Sequence, residues 1–94
     1  MNDPATRAAR IRAALELAFP GAEIELDDES HLHRGHAGAR EGKGHFRLGI
    51  TSALFEGQLP LARHRRVFDA LHDLMATDIH ALSIDARTPR ERGR

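Results

Sequence analysis

The 94-residue sequence contains no cysteine. That excludes a disulfide, a thiolate nucleophile and a thiolate metal ligand supplied by this chain. There is no tryptophan or tyrosine, and there are only four phenylalanines. Base stacking on aromatic faces, a common grip on single-stranded nucleic acid, therefore has little to work with. Neither sign of charge is in surplus, because 14 Lys and Arg balance 14 Asp and Glu. Strong non-specific attraction to nucleic acid rests on net positive potential and is disfavoured. No apolar run approaches the roughly 20 residues that span a bilayer. Charges interrupt the N-terminal stretch MNDPATRAARIRAALELAF, unlike a secretory signal. The sequence thus predicts a cytoplasmic protein with no membrane partner. It also lacks a G-x-S-x-G, a P-loop and a dinucleotide fingerprint, so no enzyme is expected.

What is present points to one domain over residues 1–94, with a small core. Seven histidines stand out, three of them between His31 and His36. Arg63, Arg65 and Arg66 cluster, and acids concentrate from Glu23 to Glu29. A first helix is predicted from about Pro4 to Phe19, with Asp3 as its cap and Pro4 at its first position. Ala8, Ile11, Leu15 and Ala18 share one face, and Pro20-Gly21 ends the helix. Residues 22–28 alternate as a half-buried strand, with Ala22, Ile24 and Leu26 on one side. His45 to Thr51 alternate likewise, with Phe46, Leu48 and Ile50 inward. The Gly- and His-rich stretch between them is predicted to be a long, mobile hairpin loop over 31–44, of a length usually functional or disordered.

Ser52 to Gly57 predicts a turn or short helix, and Pro60 opens the main helix. Its inner stripe is expected to be Leu61, His64, Phe68, Leu71 and Met75, flanked by Val67 and Leu74, with Arg63 and Arg66 projecting outward, solvated or salt-bridged by default. A third strand follows from His80 to Ala86, with Leu82, Ile84 and Ala86 on one face. Thr88-Pro89-Arg90-Glu91 reads as a capping box within a short basic tail over 88–94. The order α-β-β-α-α-β-α predicts an α+β two-layer sandwich on a three-stranded mixed sheet, its third strand parallel to its second.

Several residues invite a functional reading. His31, His33 and His36 have the chemistry of metal ligands, although their spacing is not that of a zinc finger. The plainer alternative is a solvated loop. His64, on the expected apolar stripe, reads as a buried or half-buried structural histidine that hydrogen-bonds a backbone carbonyl. His80 stands where a helix gives way to a strand, close to a loop, where rigid scaffold meets solvent; read alone, it is equally a surface histidine or a site residue. Ser30 with His31 and Glu29 is a nucleophile-like trio by residue type, without the preorganisation that such catalysis needs.

Taken together, ESHLHRGHAG, GHFRLGITSALFEG, RHRRVFDAL and IHALSIDARTP, in this order and spacing, resemble the BolA family. The resemblance covers about Arg10 to Glu91. It rests most on Phe55-x-Gly57, on Arg63-His64-Arg65 with Val67 and Leu71, and on Ile79-His80-Ala81-Leu82. It implies a fold similar to a class II KH domain and two functions. One is partnership with a monothiol glutaredoxin, sharing a [2Fe–2S] cluster with it and with glutathione, in iron–sulfur and iron homeostasis. The other is DNA binding as a stress-response transcriptional regulator. In the first, the resemblance implies His80 and a loop histidine as ligands, with no cofactor expected on the isolated protein. Counting forward from Glu29-Ser30 gives His33; counting back from His45-Phe46 gives His36, which is preferred. In the second, Arg63, Arg65 and Arg66 would meet phosphate. The FEGQ turn lacks the GXXG of KH nucleic-acid binders, and the Trp that often follows the family's Thr-Pro is absent.

Overall fold

A computed structural model describes residues 4–29 and 44–93. Helix α1 spans Pro4–Ala18 and strands β1 and β2 span Glu23–Asp28 and Gly44–Thr51. A 3-10 turn at Ala53–Phe55 leads to helices α2, Pro60–Ala70, and α3, His72–Thr77. Strand β3 covers Ile79–Arg87 and α4 covers Pro89–Arg92. The sheet order is β1-β2-β3, with β1 antiparallel and β3 parallel to the central β2. This is the mixed three-stranded α+β architecture expected from the order of elements. Among the described residues no helix is long and apolar enough to cross a membrane.

The alternation of the strands builds the core. Phe46, Leu48 and Ile50 of β2 are at most 2% exposed and pack with Ile11, Leu15, Phe19, Val67 and Leu71. Ile24 and Leu26 of β1 and Leu82, Ile84 and Ala86 of β3 complete that face, half-buried as edge-strand residues are. Glu23, Glu25, Asp27, Arg47, Ser83, Asp85 and Arg87 line the opposite, exposed face. The helices cover one side of the sheet and charges the other.

Two glycines make the turns that close this core. Gly21 ends α1 at φ +78° and Gly57 ends the 3-10 turn at φ +74°, a region that costs an L-residue about 1–2 kcal/mol. They bring Phe19 and Phe55, both essentially buried, into ring contact at 5.2 Å between centroids. The apolar face of α1 therefore finishes on Phe19, whereas Ala18, expected inward, is exposed. The proposed Asp3 cap lies outside the described residues.

The main helix also differs from expectation. It breaks at Leu71 (φ −103°, ψ 11°), whose N–H is shared between the Val67 and Phe68 carbonyls. The buried stripe runs through Val67 and Leu71, with Leu74 and Met75 partly buried behind it. Leu61 is 63% exposed and Phe68 38%, so both leave the expected stripe. The inner position one turn before Val67 belongs to Arg63, whose side chain is only 11% exposed. Its long apolar stem can line the core edge while its charged head finds partners.

Candidate functional site

One irregularity interrupts the sheet. Gly44 stands opposite Ile79, but His45 stands opposite Ala81. β3 therefore carries one residue more than β2 at this point, and that residue is His80. Such a bulge reverses the inward–outward sense of the strand and re-aims a side chain. Its consequence is visible in burial. Ile79 is 1% exposed and belongs to the core, as does Leu82 three residues later. Strict alternation would not bring both inward. With His80 as the extra residue, both face the core and the imidazole is left exposed.

The neighbourhood of His80 is polar. The His45 ring lies 5.0 Å from it between centroids, tilted by 51°. His45 itself is 8% exposed. Its carbonyl accepts the N–H of Glu29 at 2.8 Å, so the end of β1 closes the same corner. An open hollow beside it is lined by Glu29, His45, Ala81 and Ser83. The segment carrying His31, His33 and His36 leaves the sheet at Glu29 and rejoins it at Gly44, at this corner. Those three histidines, with Ser30, lie outside the described residues. Among the described residues no group of three or more His, Asp or Glu is arranged to hold a metal ion.

The corner is secured from the helical side by Asp78, whose side chain is 4% exposed. One carboxylate oxygen, Oδ2, accepts two N–H groups of Arg10, that from Nε at 2.9 Å. The other accepts the Thr77 hydroxyl at 2.6 Å. The Asp78 N–H closes α3 on the Leu74 carbonyl at 2.7 Å, and its own carbonyl accepts the Gly44 N–H at 2.8 Å. Burial pushes this carboxyl's pKa up. The hydrogen bonds from Thr77 and Arg10 and the charges of Arg10 and Arg7 outweigh that, holding it below the usual aspartate value.

Two of the three clustered arginines are engaged within the protein, Arg63 in a salt bridge. Arg63 donates to the Gln58 carbonyl at 2.7 Å, to the Ala86 carbonyl at 3.1 Å and to both Glu91 oxygens at 2.6 and 3.2 Å. The expectation that it projects outward is therefore corrected. The cause is the rotation of α2 that buries its stem. Arg66 donates to the Leu54 carbonyl at 3.2 Å and stacks over Phe19 at 5.7 Å. Of the three, Arg65 alone is exposed. His64 is half-buried on α2, as a structural histidine would be.

Reading the residues in sequence singled out His80 but missed two of its neighbours. In sequence His45 reads only as the first residue of β2, although alternation sets it on the face opposite Phe46. Asp78 and Arg10 are 68 residues apart, and no local pattern joins them.

A small α+β domain with an exposed histidine on a bulge at one corner of a mixed sheet is thus defined. The chain matches the family model described as BolA-like protein over residues 15–91, and it belongs to that family. It is 42% identical over 91 residues to SufE-like protein 1, chloroplastic/mitochondrial, of Arabidopsis thaliana, covering 92% of this chain and 24% of that relative. It is 45% identical over 83 residues to BolA-like protein 1 of Mus musculus, covering 88% and 58% respectively. The solved BolA domain of SufE1 from Arabidopsis thaliana superposes with a TM-score of 0.80 at 42% identity, covering 90% of this chain and 94% of that one. The chain thus spans less than two thirds of the length of these curated relatives.

Proposed function

We propose that this chain is a non-enzymatic BolA-type adaptor that docks a monothiol glutaredoxin and supplies histidine ligands to a shared [2Fe–2S] cluster. The observation that carries the reading is His80, an exposed imidazole fixed by a bulge where the histidine-rich segment rejoins the sheet. Each iron of a [2Fe–2S] cluster takes two ligands besides the bridging sulfides, and paired imidazoles on one iron are chemically sound. His80 and one loop histidine satisfy that count without a thiolate. The partner's cysteine and glutathione satisfy the other iron. When bound, the cluster supplies iron and sulfide for transfer or for sensing iron supply.

The loop ligand is His36 or His33. His36 precedes Gly44 by eight residues, a tether of at most about 29 Å. His33 follows Glu29 by four, at most about 14 Å. Either tether is compatible with an imidazole brought to His80, and the proposal keeps His36 as the first choice. The DNA-regulator reading is weaker, because Arg63 and Arg66 are engaged within the protein and only Arg65 is exposed.

The test is visible absorption and circular dichroism of the chain mixed with a monothiol glutaredoxin, glutathione, iron and sulfide. A spectrum distinct from the glutaredoxin homodimer, lost in His80→Ala and in one of His36→Ala or His33→Ala, is expected. A mixture showing only the homodimer spectrum overturns the adaptor reading. A steep loss of DNA affinity between low and moderate salt would then favour the regulator.

A further inference from the structure

We infer that the Arg10–Asp78 pair is a positioning clamp for His80: it fixes the bulge that presents the imidazole, and so sets the fit of the partner-shared site. The inference rests on the proposed ligand role of His80 for its functional meaning, but its structural content is independent of that role.

An extra residue outside the ladder has no cross-strand partner to hold it, so its conformation depends on the residues either side. Downstream, β3 is held by the His45–Ala81 and Phe46–Leu82 pairs. Upstream only Asp78 and Ile79 precede the bulge, and Asp78 is where α3 ends. A strand beginning directly at a helix end would ordinarily fray. Here the pairing of the buried Ile79 with Gly44 is backed by the Asp78 side chain. Its two oxygens hold α1 through Arg10 and the last turn of α3 through Thr77. Its backbone closes α3 and receives the first N–H of β2. Four attachments converge two residues from His80.

Burial makes the clamp stiff. The Asp78 side chain is 4% exposed, whereas Arg10 is 36% exposed. A carboxylate taken from water must keep its donors, since an unpaired buried charge is strongly unfavourable. Asp78 therefore has few alternative positions, and the guanidinium, anchored on α1, sets where it lies. The pair spans 68 residues of sequence and has no role in the core stripe. It does not touch the proposed metal ligand, so it acts through the backbone of residues 78–80.

The experiment reads His80 directly in the free protein. Side-chain and backbone 1H–15N correlation spectra of uniformly 15N-labelled protein would be compared for wild type, Asp78→Asn, Arg10→Gln and the conservative Arg10→Lys, with His80 assigned by His80→Ala. Thermal unfolding is recorded in parallel. The clamp predicts that Asp78→Asn and Arg10→Gln each shift or broaden the His80 ring resonances and the amides of residues 79–81, with Arg10→Lys largely restoring them. It also predicts a weaker mixed-cluster spectrum with glutaredoxin for the same two variants. A lowered Tm with unchanged His80 resonances in both variants would reduce the pair to a merely structural tie and overturn the inference. If wild type forms no mixed cluster while the resonances still move, the adaptor reading fails and the clamp stands. Should Asp78→Asn fail to fold, Arg10→Gln, altered at the half-exposed partner, carries the same comparison.

Discussion

Deleting His80 should leave the fold intact, and this is the sharpest structural consequence of the bulge. Without it, Gly44 would still face Ile79 and His45 would still face Ala81, now in unbroken register. Ile79 and Leu82 would both stay inward by ordinary alternation, so no core carbon is lost. The removed side chain is exposed, and surface changes of that kind fall within about 0.5 kcal/mol. Deleting Ser83, three residues on, is different. If the bulge persists, Ile84 and Ala86 turn outward and Asp85 and Arg87 turn toward the core, which a one-residue slip demands. If the bulge is absorbed instead, Ala81 replaces Leu82 inside. That loses three half-buried carbons, about 1 to 2 kcal/mol at 0.8 kcal/mol per fully buried methylene. A domain of this length has about 5–14 kcal/mol in all, so the difference is measurable by urea unfolding followed by far-ultraviolet circular dichroism. Deletion of His80 should shift the midpoint little, and deletion of Ser83 should lower it clearly. Equal losses, or a larger loss on deleting His80, would refute the register on which the site depends.

Other expectations follow from the packing and the ion pairs. Phe55→Ala empties a fully buried site against Phe19 and should cost about 3–5 kcal/mol in chemical denaturation. Gly57→Ala meets no atom within 4 Å of its new Cβ, so its loss of about 1–2 kcal/mol would report the φ of +74° alone. Arg63→Ala should lower Tm well beyond Arg65→Ala, because Arg63 joins α2 to β3 and α4 whereas Arg65 is exposed. The hydrogen bonds from Arg63 and from the Thr88 N–H hold the Glu91 carboxyl down to about 2. Its unfolded value is about 4.3. A depressed folded value stabilises above the unfolded one, so this contribution is complete above about pH 4.3 and is lost as pH falls toward 2. The stability gap between wild type and Glu91→Gln, followed by thermal melts across that range, should therefore narrow on acidification.

The strands were legible in sequence because alternation is a local property. Phe46, Leu48 and Ile50 follow it without exception, and so do Ile24 and Leu26. The capping box at Thr88 and Glu91 was equally legible, and both of its hydrogen bonds form. The face of α2 was not. A hydrophobic stripe counts Leu61 and Phe68 as inner and Arg63 as outer, yet Arg63 lies inside because Gln58, Ala86 and Glu91 supply partners for its head. Those three acceptors come from three parts of the chain. His80 was recognised, but its manner of exposure was not, since alternation with Leu82, Ile84 and Ala86 would turn it inward. Only the pairing with β2 reveals the extra residue. The Asp78 clamp likewise exists only once α1 packs beside the start of β3.

Ligation by His80 is tested most directly by electron–nuclear double resonance on the reduced mixed cluster, with 15N-histidine incorporated only into this chain. The account predicts 15N couplings from directly bound imidazole nitrogen, with the His80 coupling lost in His80→Ala and the loop coupling in His36→Ala or His33→Ala. A mixed cluster showing no histidine nitrogen coupling from this chain, or one unchanged in His80→Ala, would contradict it.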